Sequence, residues 1–66
     1  MKVHFDQQSN ALYFRLDDSE IVESEEVKPG IILDFNEKNQ VVGIEMLRVG
    51  DRVPLTNLTH MQFEVA

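Results

Sequence analysis

Period-two alternation of apolar and polar residues is the feature that most constrains the fold of this chain. Large apolar side chains occupy every second position of two short segments, first at Val3 and Phe5 and then at Leu12, Phe14 and Leu16. Such alternation is typical of strands with one buried face. Pairing Phe5 with Leu12 and Val3 with Phe14 places these side chains on one face and leaves residues 7–10 as a four-residue loop. The pattern predicts a β-hairpin over about residues 2–16.

Pro29 and Gly30 break the chain, and the same pattern then returns. The alternating apolar residues of this second segment are Ile31, Leu33, Phe35, Val42, Ile44 and Met46. Pairing Phe35 with Val42 and Leu33 with Ile44 predicts a second hairpin over about residues 30–47, with its loop at residues 37–40.

Short polar side chains stand where the two loops open and close. Asp6 and Asn36 open them, and each is expected to accept a hydrogen bond from the backbone two residues on. Asn39 is expected in the left-handed backbone conformation that closing such a loop often requires. These are structural roles.

The alternation stops in the last part of the chain, residues 48–66. Gly50 and Pro54 indicate a loop there, and Thr56 is expected to cap a single helical turn. A short terminal strand is predicted from the apolar residues at alternate positions, which are Met61, Phe63 and Val65. A strand this short is marginal by itself, so it has to pair with an edge of its own sheet or of a partner's.

The expected fold class is α+β, mainly antiparallel β, in a single domain of residues 1–66. It combines two consecutive β-hairpins with an acidic connector at residues 17–29, a short helical turn and a short C-terminal strand. A chain of this length buries only about 60% of its unfolded surface, and without cysteine it has neither a disulfide nor a thiolate metal site. Association with a second copy is one way to complete the expected core, which comprises Val3, Phe5, Leu12, Phe14, Leu16, Ile31, Leu33, Phe35, Val42, Ile44 and Met46.

Charge and hydropathy narrow the classes of partner. The net charge is −6, and no basic stripe is present to displace counterions from a phosphate backbone, so direct nucleic-acid binding is not expected. No apolar run approaches the length of a membrane span, and the first residues do not form the apolar region of a signal peptide. We therefore expect a cytoplasmic protein that does not associate with membranes.

Three stretches of the chain resemble a known family: the opening "VHFD", then "ALYFRL", and then "ESEEVKPGIILDFNEKNQVVGIEML". These residues are similar to the small bacterial and archaeal proteins collected as domain of unknown function 2283. The resemblance runs from about Lys2 to Leu47 and is most specific from Pro29 to Glu45. It implies a small antiparallel β-rich domain without a settled activity, and some family members resemble partners in toxin–antitoxin-like gene pairs. After Leu47 members often carry a short helical segment, and "RVGDRVPLTNL" looks less helical than that.

Residues with catalytic or metal-binding chemistry are few. The chain has no cysteine nucleophile and no glycine-rich phosphate loop, so we expect no enzyme, no cofactor and no metal site. His4, flanked by Lys2 and Arg15, forms either an anion-binding spot or, as we favour, an ordinary polar outer face. Asp34 and Glu45 are expected on that outer face as solvated charges.

The acidic connector contains "DDSEIVESEE", with six carboxylates in ten positions. A calcium loop is disfavoured, because the stretch has no glycine and has two apolar residues in its middle. A charged edge strand that discourages aggregation is the favoured interpretation, with Glu23 and Glu25 on one side and Ser24 and Glu26 on the other. The same charges offer a surface for a basic protein partner. The candidate partner surface comprises Glu20, Glu23, Glu25 and Glu26.

The expected function is that of a small acidic, non-enzymatic protein-interaction module that self-associates as a dimer or larger homo-oligomer. The alternative is an antitoxin-like inhibitor whose acidic segment masks a basic partner protein. A metal- or small-molecule-binding protein is a distant third.

Overall fold

Five antiparallel strands form one sheet in the computed structural model, which describes residues 1–66. The strands are β1 (Lys2–Asp6), β2 (Ala11–Arg15), β3 (Glu23–Lys28), β4 (Ile31–Phe35) and β5 (Val41–Leu47). Their spatial order is β1-β2-β5-β4-β3, so the acidic β3 and the first strand β1 form the two edges. A 3-10 turn (Val49–Asp51) and a single helical turn, α1 (Leu55–Leu58), follow the sheet. The fold is mainly antiparallel β, as the alternation predicts, and none of its helices has the length and apolar character needed to cross a membrane.

The first hairpin has the predicted register. Val3 lies opposite Phe14 and Phe5 lies opposite Leu12, with residues 7–10 forming the turn between them. Asp6 opens this turn, and its Oδ1 accepts a hydrogen bond of 3.0 Å from the backbone N–H of Gln8. Hydrogen bonds from Ser9 and then from Gln8 hold the pKa of Asp6 below its usual value, because they favour the ionised carboxylate.

The second hairpin has the predicted register along most of its length, with Leu33 opposite Ile44. The predicted pairing of Phe35 with Val42 is wrong, because the register shifts at this end of the hairpin and Phe35 lies opposite Val41. Val42 is the extra residue of a β-bulge, which alternation alone does not reveal.

Asn36 begins the loop of the second hairpin and stabilises it by accepting hydrogen bonds from the loop backbone. Its Oδ1 accepts hydrogen bonds of 3.0 Å from the backbone N–H groups of Lys38 and Gln40, and the side chain is buried. Asn39 has a φ of 59°, the left-handed conformation predicted for it.

The predicted core residues share one face of the sheet but are incompletely covered. Cross-strand partners place Phe14, Ile44 and Leu33 in one continuous row across three strands. Of the eleven residues expected in the core, only Leu12 and Val42 are fully buried, seven are half-buried, and Val3 and Leu16 are exposed. One copy by itself leaves this core incomplete, because no second layer lies over this face.

The residues after β5 fold back on the start of β2 and then leave the sheet. Val49 is buried, its backbone N–H donates to the carbonyl of Asn10 at 3.0 Å, and the N–H of Gly50 donates to Asn10 Oδ1 at 2.7 Å. The helical turn α1 begins after Pro54, so the expectation that Thr56 caps it was wrong. Residues 60–66 form no strand within the chain and are exposed, so the predicted C-terminal strand is absent from the sheet of a single copy.

Candidate interaction surfaces

One face of the sheet presents a broad apolar surface, which we call the apolar face. Its residues lie in two rows that cross the strands, and they are Val3, Phe14, Ile44 and Leu33 in the first row and Phe5, Leu12, Met46 and Ile31 in the second. The helical turn α1 has four residues, none of them buried, and at about 1.5 Å per residue it is too short to cover such a face. The apolar face is therefore left partly open to solvent.

The surface area of the whole chain is larger than its mass predicts. The chain exposes 5158 Å², whereas a folded monomer of 7.6 kDa is expected to expose about 4,300 Å². Its Cα radius of gyration of 12.6 Å also exceeds the value of about 11 Å expected for 66 residues. The excess of about 850 Å² is close to the area of about 800 Å² that each partner buries in a standard protein interface.

The acidic residues of the candidate partner surface do not form one patch. Glu23 and Glu25 lie opposite apolar-face residues of β4, while Glu26 lies opposite Ile32 and extends to the other side of the sheet. Glu20 precedes β3 in the connector. All four are exposed, so β3 is the charged edge strand that the alternation of this segment predicts.

A polar pocket of about 350 Å³ lies between the connector and the β4–β5 loop. Its lining residues are Ser19, Glu20, Val22, Asn36, Glu37, Lys38 and Gln40. The pocket has neither a histidine nor a glycine in its lining, and no group of three or more histidine or acidic side chains is placed to hold a metal ion anywhere in the structure.

The opposite side of the sheet, which we call the polar face, contains a buried carboxylate. Asp34 is 2% exposed, and its Oδ1 accepts a hydrogen bond of 2.6 Å from Ser24 Oγ on the neighbouring strand. Its Oδ2 is buried without a partner. Gly43 lies opposite Asp34, and a methyl group on Gly43 would stand only 2.8 Å from both this oxygen and the Tyr13 hydroxyl. The space left by the missing side chain of Gly43 lets both groups lie over the backbone.

Glu45 stands next to Asp34 and shares its environment. Burial, and then the hydrogen bond and charge of Asp34, raise the pKa of Glu45. The neighbouring carboxylate of Asp34 therefore favours the protonated form of Glu45. The expectation that both groups are solvated charges was wrong, because Asp34 is buried and Glu45 is partly so.

Arg15 does not neutralise these carboxylates. Its Nε donates to the carbonyl of Asp17 at 2.6 Å, and its Nη2 donates to the carbonyl of Ser19. The guanidinium therefore fixes the start of the connector against β2. His4 lies opposite Tyr13 as predicted, and Arg15 lies opposite Lys2 with two of its nitrogen atoms donating to connector carbonyls.

Sequence reasoning missed the close approach of Asp34 and Tyr13 to Gly43. The available signal was a glycine inside a strand, at a position directly opposite an aspartate, because a strand glycine often marks a close approach of another group to the backbone. The register was predicted, but the tilt of the two side chains toward Gly43 depends on the tertiary structure.

The comparison with known families gives a single result. A family model described as a protein of unknown function (DUF2283) matches residues 2–49, which include all five strands. No match was found among curated proteins or among solved structures. The matched region covers more than half of the chain and includes the whole sheet. The chain therefore belongs to the DUF2283 family.

Proposed function

We propose that this protein is a non-enzymatic interaction module that self-associates through its apolar face. The observation that carries the proposal is the half-exposed state of seven of the eleven expected core residues on the apolar side of the sheet. Two twisted sheets pack face to face at about 10 Å with their side chains interdigitated, which is the arrangement of a β-sandwich. A second copy supplies such a sheet, and each copy then completes the core of the other.

The position of the acidic edge supports the same arrangement. Glu23 and Glu25 border the apolar face at one side, so in a face-to-face pair they lie at the rim, where charges stay hydrated. The centre of the face, around Ile44 and Phe14, has no charged side chain. An apolar centre with a charged rim is the usual composition of a protein interface. The cytoplasmic location expected from the sequence stays a prediction.

The test is molar mass by light scattering across a concentration series, with thermal melting at each concentration. We expect a dimer or larger assembly whose melting temperature rises with concentration. Two isoleucines provide a matched pair of variants, because Ile44 and Ile32 are both half-buried on central strands but lie on opposite faces. Ile44→Thr is expected to shift the protein toward monomer, and Ile32→Thr is expected to leave the assembly in place. A monomer at all concentrations, or an equal effect of the two variants, would contradict the proposal.

The second candidate function is inhibition of a basic partner protein, as in antitoxins. It rests on β3, an edge strand whose six residues are all exposed and which carries three glutamates. An acidic edge accelerates association with a basic protein through long-range attraction.

Neutralising this edge tests the second candidate. The triple variant Glu23→Gln, Glu25→Gln, Glu26→Gln is expected to fold normally and to slow association with a basic partner recovered from the native host, most strongly at low salt. The matched control changes the same charge elsewhere, at the exposed residues Glu37, Asp51 and Glu64. An unchanged association rate for the triple variant rules out the β3 edge as the partner surface. Equal slowing by the control variant shows that association depends only on the net charge of the protein.

A further inference from the structure

Residues 61–65 have the pattern of a strand but no partner strand in the chain. Met61, Phe63 and Val65 alternate with polar residues, and they are 54%, 76% and 84% exposed. Phe63 and Val65 are the most exposed large apolar side chains of the chain. Isolated strands are not stable, and alternate apolar residues favour a strand only where a sheet edge and an apolar surface are available.

The two edges of the sheet differ in charge. β3 carries Glu23, Glu25, Glu26 and Lys28, whereas the charged residues of β1, Lys2 and Asp6, both lie on its polar side with His4. On the apolar side, pairing with β3 places Met61, Phe63 and Val65 beside the charged Glu23 and Glu25. Pairing with β1 places them beside the apolar Val3 and Phe5 instead, which is the more favourable arrangement.

The period of the segment also fits β1. If Met61, Phe63 and Val65 lie on the side of the apolar face, they extend the rows that begin at Val3 and Phe5. Gln62 and Glu64 then lie on the polar side, beside Lys2 and His4. β1 has five residues and the segment has five, so all the outward backbone groups of β1 gain a partner.

We propose that residues 61–65 of one copy pair with the β1 edge of a second copy as an additional strand. The inference rests on the proposed self-association and specifies which element each copy exchanges. The exchange widens the apolar face of the receiving sheet by one strand. It also covers the β1 edge, which is otherwise open to unspecific pairing.

Cross-linking between two different copies tests this pairing. The chain has no cysteine, so each introduced thiol is unique. A His4→Cys copy is mixed with a Gln62→Cys copy, both substitutions being on exposed side chains, and treated with a short bismaleimide. The control mixture replaces the first copy by Glu26→Cys, which places the thiol on the polar side of the β3 edge. We expect cross-linked heterodimer from the first mixture and little from the control.

Two further variants show whether the contact is specific. Phe63→Ser in the Gln62→Cys copy is expected to reduce the cross-link to the level of the control mixture. Leu55→Ser, which also removes an exposed apolar side chain but lies outside the segment, is expected to leave it unchanged. An equal loss of cross-linked heterodimer in both variants overturns the specific pairing of residues 61–65 with β1.

The outcomes separate this inference from the proposed function. If light scattering shows an assembly and the cross-link at β1 is absent, or occurs equally at β3, the strand exchange is overturned while self-association through the apolar face stands. If the chain is monomeric, both fail. The double variant with His4→Cys and Gln62→Cys in one chain is cross-linked at high dilution. If it forms a link within the chain and none between copies, residues 61–65 pair with β1 of their own chain, and the exchange is overturned.

Discussion

At the scale of single residues, the arrangement of the polar face depends on Gly43. The absence of a side chain there leaves room for the Tyr13 hydroxyl and for Oδ2 of Asp34, which both approach the backbone of β5. Because Asp34 is buried, its carboxylate needs donors, and Ser24 supplies one of them. We expect the second donor to be a proton shared with Glu45, whose pKa is raised by burial and by the neighbouring Asp34.

Gly43→Ala tests the close approach. The added methyl would lie 2.8 Å from two oxygen atoms, so we expect a loss of about 1–3 kcal/mol in the free energy of unfolding. Tyr13→Phe removes one of the two oxygens, and the double variant should lose less than the sum of the single variants. Urea denaturation of the four proteins measures the difference, and strict additivity would show that Tyr13 does not crowd this position.

Glu45→Gln tests the proton. Because the folded protein raises the pKa of Glu45, the stabilisation from protonated Glu45 is fully present below the unfolded pKa of about 4.5 and is lost as the pH rises through the folded pKa. The glutamine amide donates at every pH, so we expect the variant to melt higher than the wild type at alkaline pH, with the difference disappearing toward pH 4. Melting curves across this range measure it.

Glu64→Gln is the control for this experiment, because Glu64 is exposed and distant in sequence from the carboxylate pair. It should leave the pH profile of the wild type unchanged. A melting difference between Glu45→Gln and the wild type that does not vary with pH would argue against a proton held by the pair.

At the scale of secondary structure elements, the sheet has two edges and two faces of different chemistry. The β3 edge is charged, the β1 edge is less so, the polar face contains the carboxylate pair, and the apolar face is half-exposed. β-Sheets of this kind are stable only when the apolar face packs against a second layer. A single copy has no such layer.

Phe14→Ala measures how completely the apolar face is covered. Fully buried phenylalanine costs about 3–5 kcal/mol when truncated to alanine, and the half-buried ring in one copy should cost about half of that. We therefore expect a smaller loss at protein concentrations that favour the monomer and a larger loss where copies associate. Denaturation at two concentrations gives both values, with Leu55→Ala, at an exposed position outside residues 61–65, as the control. The same loss at both concentrations would place Phe14 outside the interface.

At the scale of the whole molecule, net charge and apolar surface have opposite effects on self-association. Each copy has a net charge of −6, so two copies repel each other, while the apolar surface favours their association. Salt screens the repulsion and leaves apolar burial in place.

Salt dependence therefore separates the two candidate functions. Self-association should tighten when sodium chloride is raised from about 50 mM to about 500 mM, whereas a complex with a basic partner should weaken over the same range. Sedimentation equilibrium of the protein alone measures the first effect. Self-association that weakens with salt would indicate that charge pairs, rather than the apolar face, hold the copies together.

Local patterning was sufficient for much of this fold. Alternating residues predicted both hairpins and the face shared by Val3, Phe14, Leu33 and Ile44. The short polar residues Asp6 and Asn36 predicted where the two loops begin. These features depend on the period of a strand and on hydrogen bonds between residues close in sequence, so neighbouring residues determine them. The charged character of β3 follows in the same way.

Other features were decided only by the tertiary structure. At Val42 the bulged carbonyl accepts from the N–H of Leu16, at Gly43 the Tyr13 hydroxyl crowds beside Asp34, and Val49 packs against the start of β2. Each of these features depends on the β2 region, which is distant in sequence from β5. The order of the strands also decides which edges and faces stay open, because the two hairpins join through β2 and β5 and no segment remains to cover the apolar face. The sequence by itself determined the strands and the sides of their residues, since these are properties of local periodicity. Only the tertiary structure decided which of those sides are buried, because burial depends on what packs against them.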